Sequence, residues 1–110
     1  MLIFEKEEKE IFQISADGSG ELEPYSSSSK HLKNDSVYVL VDKTLKKIFL
    51  WIGLSADVRS RFIASTAAQR LRERKGLTYR VITIDQGGET KEFLKAISPM
   101  ILPEILERVI

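Results

Sequence analysis

Apolar and polar positions are most regular in the middle of the chain, and the predicted elements are clearest there. Val37, Val39 and Val41 alternate with Tyr38 and Leu40. Both sets are apolar, so the pattern predicts a central strand covered on both faces. Ile48-Phe49-Leu50-Trp51-Ile52 repeats it. The segment between them, Asp42 to Lys46, reads as a turn, so the two strands form an antiparallel hairpin. Gly53 ends the second strand. From Ala56 to about Lys75 the spacing becomes helical. Asp57 falls in the first turn and Arg72, Arg74 and Lys75 in the last, which suits the helix dipole at each end. Gly76 is a stop signal. Thr78 to Ile84 predicts a third strand. Strand, helix, strand in that order implies a right-handed crossover and a parallel pairing.

The flanks are shorter. Ile11 to Ile14 predicts a strand, and Ala16-Asp17-Gly18-Ser19-Gly20 a turn. Glu21 to Tyr25 alternates weakly and fits an edge strand, where Pro24 is tolerated. Ser26 to Leu32 is a capped helical turn or a loop. Asp85 to Gly88 is a loop, and Glu89 to Ile97 a short helix with Phe93, Leu94 and Ile97 as its apolar stripe. Pro99 and Pro103 break the chain before a last apolar stretch, Glu104 to Ile110. The whole reads as one domain over 1–110, with its core at about 11–97, a charged arm at 1–10 and an apolar tail at 98–110.

The long helix divides into two faces at about 100° per residue. Ser60, Ala64, Ala67 and Leu71 share one arc, with Ala56 and Ala68 beside it, and these small residues allow close approach to the sheet. Opposite lie Val58, Phe62, Gln69 and Glu73, with Ser65 and Thr66 adjacent. Val58 and Phe62 stack four residues apart on the face that should be wet. Arg59, Arg61 and Arg70 surround them. The leading reading is a strip for a protein partner. Cover by the apolar tail and plain exposure are the alternatives.

Composition narrows the function classes. The 110 residues are 43% hydrophobic and 30% charged, enough for a core. The longest apolar run, Ile48 to Leu54, falls far short of the ~20 residues that cross a bilayer. The acidic N-terminal stretch is not expected to be a secretory signal. Zero cysteines exclude disulfides, thiolate catalysis and cysteine zinc sites, and suit a cytoplasmic location. The net charge of +1 conceals a gradient: −5 over 1–25, +3 over 26–50, +4 over 51–75 and −1 over 76–110. That basic middle reads first as a solvated helix face, and otherwise as a surface for an acidic partner. Nucleic acid is not expected at so low a net charge.

Enzyme chemistry has little to stand on. There is no P-loop, no nucleophile elbow and no His-rich metal motif. Gly18-Ser19-Gly20 opens no long helix. His31, the single histidine, sits beside a serine run with no orienting acid. Trp51 reads as core. Asp35 reads as a turn or capping aspartate, and otherwise as a ligand for a hard cation.

Several segments together resemble a gelsolin-like (gelsolin/villin/severin) domain. Asn34-Asp35-Ser36-Val37-Tyr38-Val39-Leu40-Val41-Asp42 resembles its opening core strand, and Lys47 to Gly53 its strand ending in Trp-x-Gly. The long helix with Ala64, Ala67, Ala68 and Leu71 inward follows. Val81 to Ile84, then Gly88-Glu89 with Phe93, resembles its closing segment. The resemblance implies an α/β (α+β) fold, a central mixed sheet of about five strands between one long and one short helix. It implies binding of actin or an actin-like protein through the long helix. The contact then falls on Val58, Arg59, Phe62, Thr66, Gln69, Arg70 and Glu73. The expected activity is monomer sequestration or filament capping, with no enzyme activity and no required cofactor. Family domains often bind calcium through a backbone carbonyl, the adjacent Asp and a Glu early in the helix. Asn34 and Asp35 match the first two, but Ser60 stands where the Glu belongs, and Asp57 is the nearest substitute. At a second site shared with the partner, Arg72 replaces an acid, with Glu73 adjacent. The resemblance therefore implies a degenerate calcium site at Asn34, Asp35 and Asp57 and weak or no calcium control. The alternative function is an adaptor module of a complex such as a vesicle coat. A third is contact with acidic lipid headgroups through Lys43, Lys46, Lys47 and the arginine-rich helix end.

Overall fold

A computed structural model describes residues 9–15, 17–25 and 32–97. Five strands form one sheet: β1 (Lys9–Ile14), β2 (Leu22–Pro24), β3 (Val37–Asp42), β4 (Lys47–Ile52) and β5 (Arg80–Asp85), with α1 (Val58–Lys75) and α2 (Lys91–Ile97) packed on it. The strand order is β2-β1-β3-β4-β5. All neighbours are antiparallel except β4 and β5, which α1 joins in parallel. The expected mixed five-stranded sheet is therefore present, and β2 with its Pro24 lies at an edge as expected.

The alternation in the central strands sorts their side chains into two cores. Val37, Val39 and Val41 of β3, with Ile48, Leu50 and Ile52 of β4, meet Ala64, Ala67, Ala68 and Leu71 of α1. Tyr38 and Leu40, with Phe49 and Trp51, meet Phe93, Ala96 and Ile97 of α2. Every residue of β3 is buried, as a strand apolar on both faces requires. Three of the four buried α1 residues are alanines, so the helix axis lies close to the sheet. On the second face bulk does the filling: Phe49 packs edge-on against Phe93 with ring centres 5.6 Å apart.

Three boundaries differ from expectation. Asp57 is not in the first turn. It is the N-cap, extended in backbone, and its carboxylate accepts the Ser60 N–H at 2.7 Å. The helix thus begins at Val58. The third strand begins at Arg80 because a turn follows Gly76, in which the Tyr79 N–H bonds the Gly76 carbonyl at 3.1 Å. The short helix begins at Lys91, where the Thr90 hydroxyl accepts the Phe93 N–H at 3.2 Å. Ala96 takes the third buried place in α2, and Leu94 is half-buried beside it. The charged arm before Lys9, the Ser26–His31 segment and the apolar tail at 98–110 lie outside the described residues. Among the described residues no helix is long and apolar enough to cross a membrane.

Trp51 is core, as expected, and its indole N–H donates to Glu89 Oε2 at 2.8 Å. Tyr38 packs between Tyr25 and Trp51, and its hydroxyl accepts the Lys33 N–H at 2.9 Å. Burial pushes the Tyr38 phenol up to about 12. The native state therefore holds its proton more tightly than the unfolded chain, where the phenol ionises near pH ~10. The stability this proton contributes is complete below that pH and is lost as pH rises toward 12. Thermal melts across this window should show a falling Tm, and Tyr38→Phe should flatten part of the fall. An unchanged slope in that variant would assign the alkaline loss to other groups.

Candidate binding face of the long helix

The exposed side of α1 carries the residues that the sequence singles out. Val58 is 82% exposed and Phe62 73%. Thr66, Gln69 and Glu73 continue the same face and are exposed as well. The Thr66 hydroxyl is turned back onto the helix, donating to the Phe62 carbonyl at 3.2 Å. Among the described residues nothing covers this strip.

The arginines around it divide between two flanks. Arg61 leans toward β5, where its guanidinium lies 3.2 Å from the Asp85 carboxylate. Both partners are largely exposed, so the pair contributes less than about 1 kcal/mol. Arg59 leans the other way, over the β1–β2 loop, with its guanidinium against Gly18. Arg70 and Glu73 border a shallow groove beside Ser19 and Gly20 of the same loop and Leu22 at the start of β2. Of the seven expected contact residues, Val58 and Phe62 are the exposed apolar pair, Thr66 and Gln69 continue the face as polar residues, and Arg59, Arg70 and Glu73 border it on the β1–β2 side.

The three expected calcium ligands are brought near one another but not into a cage. Asp35 and Asp57 line one cleft of about 310 Å³ with Asp17, Gln13, Ser36, Arg59 and Ser60. The Asn34 carbonyl already accepts the Ser55 N–H at 2.8 Å. Asp35 accepts the Ser36 hydroxyl at 3.0 Å. Asp57 is committed to its cap: hydrogen bonds from the Ser60 N–H and hydroxyl, and then the charge of Arg59, hold its carboxyl below the usual range. Asp17 is likewise lowered by bonds from Ser19 and Ser15. Among the described residues no three His, Asp or Glu side chains converge closely enough to hold a metal ion. A guanidinium in the cleft further opposes a divalent cation. The expected ligands thus share their surroundings with hydrogen-bond donors that each reach one of their oxygens and with a guanidinium.

The comparisons with known proteins agree with this architecture. The family model of the gelsolin repeat matches residues 19–94. The chain belongs to the gelsolin repeat family. Among solved structures, this gelsolin repeat is similar to a chain in the crystal structure of the Thorarchaeota ProGel/rabbit actin complex. Identity is 26% and the TM-score 0.71, over 79% of this chain and 96% of that one. It is also similar to a chain in the Thorarchaeota 2DGel3/rabbit actin complex, at 25% identity and TM-score 0.66. That likeness covers 81% of this chain and 45% of the other. No curated protein matches. In this gelsolin repeat, the Trp51-Ile52-Gly53 and Gly88-Glu89 segments meet through the Trp51–Glu89 bond, although 38 residues separate the pair.

Sequence reasoning passed over three members of this region. Leu54 is 73% exposed, as much as Phe62. Its signal was visible: an apolar residue after a strand-ending glycine, four before Val58. Gln86 is buried and bonds Leu54. Asp85 pairs with Arg61. Neither of these two has a local signature, because each partner comes from a distant element.

Proposed function

We propose that this domain binds actin through the outward face of α1, and that it sequesters monomers or caps filament ends. The observation that carries the reading is the exposed Val58–Phe62 pair on the long helix of a gelsolin repeat. Solved relatives at 25–26% identity were crystallised with actin, which supports the choice of partner. A helix with an apolar stripe and a charged border suits a hydrophobic cleft between two lobes of a partner. Actin is acidic, and the arginines flanking the stripe favour encounter with it. This domain presents one such face. Severing needs a second linked site to raise the effective concentration, so sequestration or capping is the activity expected of this domain acting by itself. The domain acts as a binding module and not an enzyme, and a cytoplasmic location goes with this reading. Calcium control is weak or absent, because Ser60 supplies no carboxylate and Asp57 is engaged as the cap.

The test is polymerisation of monomeric actin with the domain present, once with calcium and once with chelator. Equal inhibition in both conditions is expected. Inhibition with calcium alone would overturn the reading of the Asp35–Asp57 cleft. No inhibition with several actins would overturn the choice of partner and favour the adaptor function.

A further inference from the structure

Five large apolar side chains stand exposed among the described residues: Leu45, Leu54, Val58, Phe62 and Leu77. Leu54, Val58 and Phe62 follow at four-residue steps across the start of α1. Leu54 precedes the helix, so helical periodicity does not explain its exposure. The loop that carries it does.

That loop is tied at four consecutive amides. The Gly53 N–H donates to the Ser36 carbonyl at 3.0 Å, and the Ser55 N–H to the Asn34 carbonyl at 2.8 Å. The Ala56 N–H donates to the Gly53 carbonyl at 3.1 Å. The Leu54 N–H donates to Gln86 Oε1 at 2.8 Å. The acceptors come from the approach to β3, from the loop after β5 and from the segment itself. A loop held at every amide does not fold back to hide its side chain. Leu54 is therefore kept outward by the backbone network.

Gln86 is the informative member. It is only 6% exposed, and its own N–H bonds the Ile52 carbonyl at 2.9 Å. Its Nε2 is buried and makes no hydrogen bond. A buried donor without an acceptor is destabilising, and an apolar side chain would fill the space without that penalty. What an apolar side chain cannot supply is the acceptor for the Leu54 N–H. Resting on the reading that α1 carries the actin contact, we infer that Leu54 is a further contact residue at the leading end of that face. Gln86 is its positioning residue, acting through the Leu54 amide. A side chain already fixed in its bound position loses less freedom on association.

The experiment measures affinity for monomeric actin, with circular dichroism as the check on folding. Leu54→Ala is expected to bind roughly tenfold more weakly. Leu77→Ala is the control: Leu77 is 71% exposed, but it lies beyond the other end of α1. It should change affinity by less than about twofold. Gln86→Met, similar in size but without the acceptor, should weaken binding in the wild-type background and add nothing once Leu54 is alanine. Residues acting through one contact are non-additive, whereas a merely structural role would cost the same in both backgrounds. Such additivity would overturn the positioning role. If Gln86→Met does not fold, the Leu54 and Leu77 pair still decides the contact. Loss of binding in Phe62→Ala with none in Leu54→Ala would overturn this inference alone. No loss in either variant would remove the α1 face as well.

Discussion

Phe62→Ala combined with Arg70→Ala should weaken binding to monomeric actin by roughly 100-fold or more. Phe62 is the largest exposed apolar side chain on α1 and is 73% exposed in the free domain. Its removal takes nothing from either core, so the fold should be unaffected. An aromatic anchor that becomes desolvated on binding contributes about 2 kcal/mol or more. Arg70 borders the stripe beside the β1–β2 loop, and its charge should act mainly on the association rate. The measurement is the dissociation constant of the double variant, with its melting curve recorded alongside. A folded variant with unchanged affinity would remove this surface. Raising the salt should slow association of the wild type more than of Arg70→Ala, because exposed charges are screened over about 8–10 Å.

Gly53→Ala should be the most damaging single change to the fold. A Cβ at this position would lie 2.2 Å from the Asn34 carbonyl oxygen and 2.9 Å from that of Ser36. Both are backbone atoms held in place: the Ser36 carbonyl accepts from the Gly53 N–H, and the Asn34 carbonyl from the Ser55 N–H. Relief of the clash must break one of these bonds or push β4 away from the approach to β3. The expected cost is about 3 kcal/mol or more, a fall in Tm of roughly 12 °C or more for a domain of this size. Gly88→Ala is the matched control. Its Cβ would meet only the Asp85 carbonyl, at an ordinary 3.4 Å, so its cost should stay below about 1 kcal/mol. Equal melting temperatures for the two variants would show that the close approach at Gly53 yields easily.

These predictions differ in how far the chain alone announces them. That Phe62 faces away from the sheet follows from counting around α1, since Ala64, Ala67, Ala68 and Leu71 take the opposite arc. The strands β3 and β4 are legible because apolar residues on both of their faces leave no other place than the centre. Gly53 is legible as a strand end, but its close approach to Asn34 is not, because the contact joins two segments that pairing alone brings together. The N-cap role of Asp57 was within reach, since an Asp three residues before Ser60 can bond its N–H. The choice between Ala56 and Val58 as the start depended on the direction of that carboxylate.

Much about this protein is determined by local pattern: a central hairpin, a long helix with one small-residue face, a parallel strand after it, and an apolar pair left on the wet side. These are matters of period and sterics within a few residues, which a sequence carries directly. The tertiary structure alone decided that the Glu89 carboxylate closes the Trp51 indole, that Gln86 anchors Leu54, and that Arg59 and Arg61 part toward opposite flanks. It also decided that the Asn34 carbonyl and one carboxylate oxygen each of Asp35 and Asp57 accept hydrogen bonds from Ser55, Ser36 and Ser60. A polar group's free valence depends on what the fold sets beside it, and that neighbour is often tens of residues away in the chain.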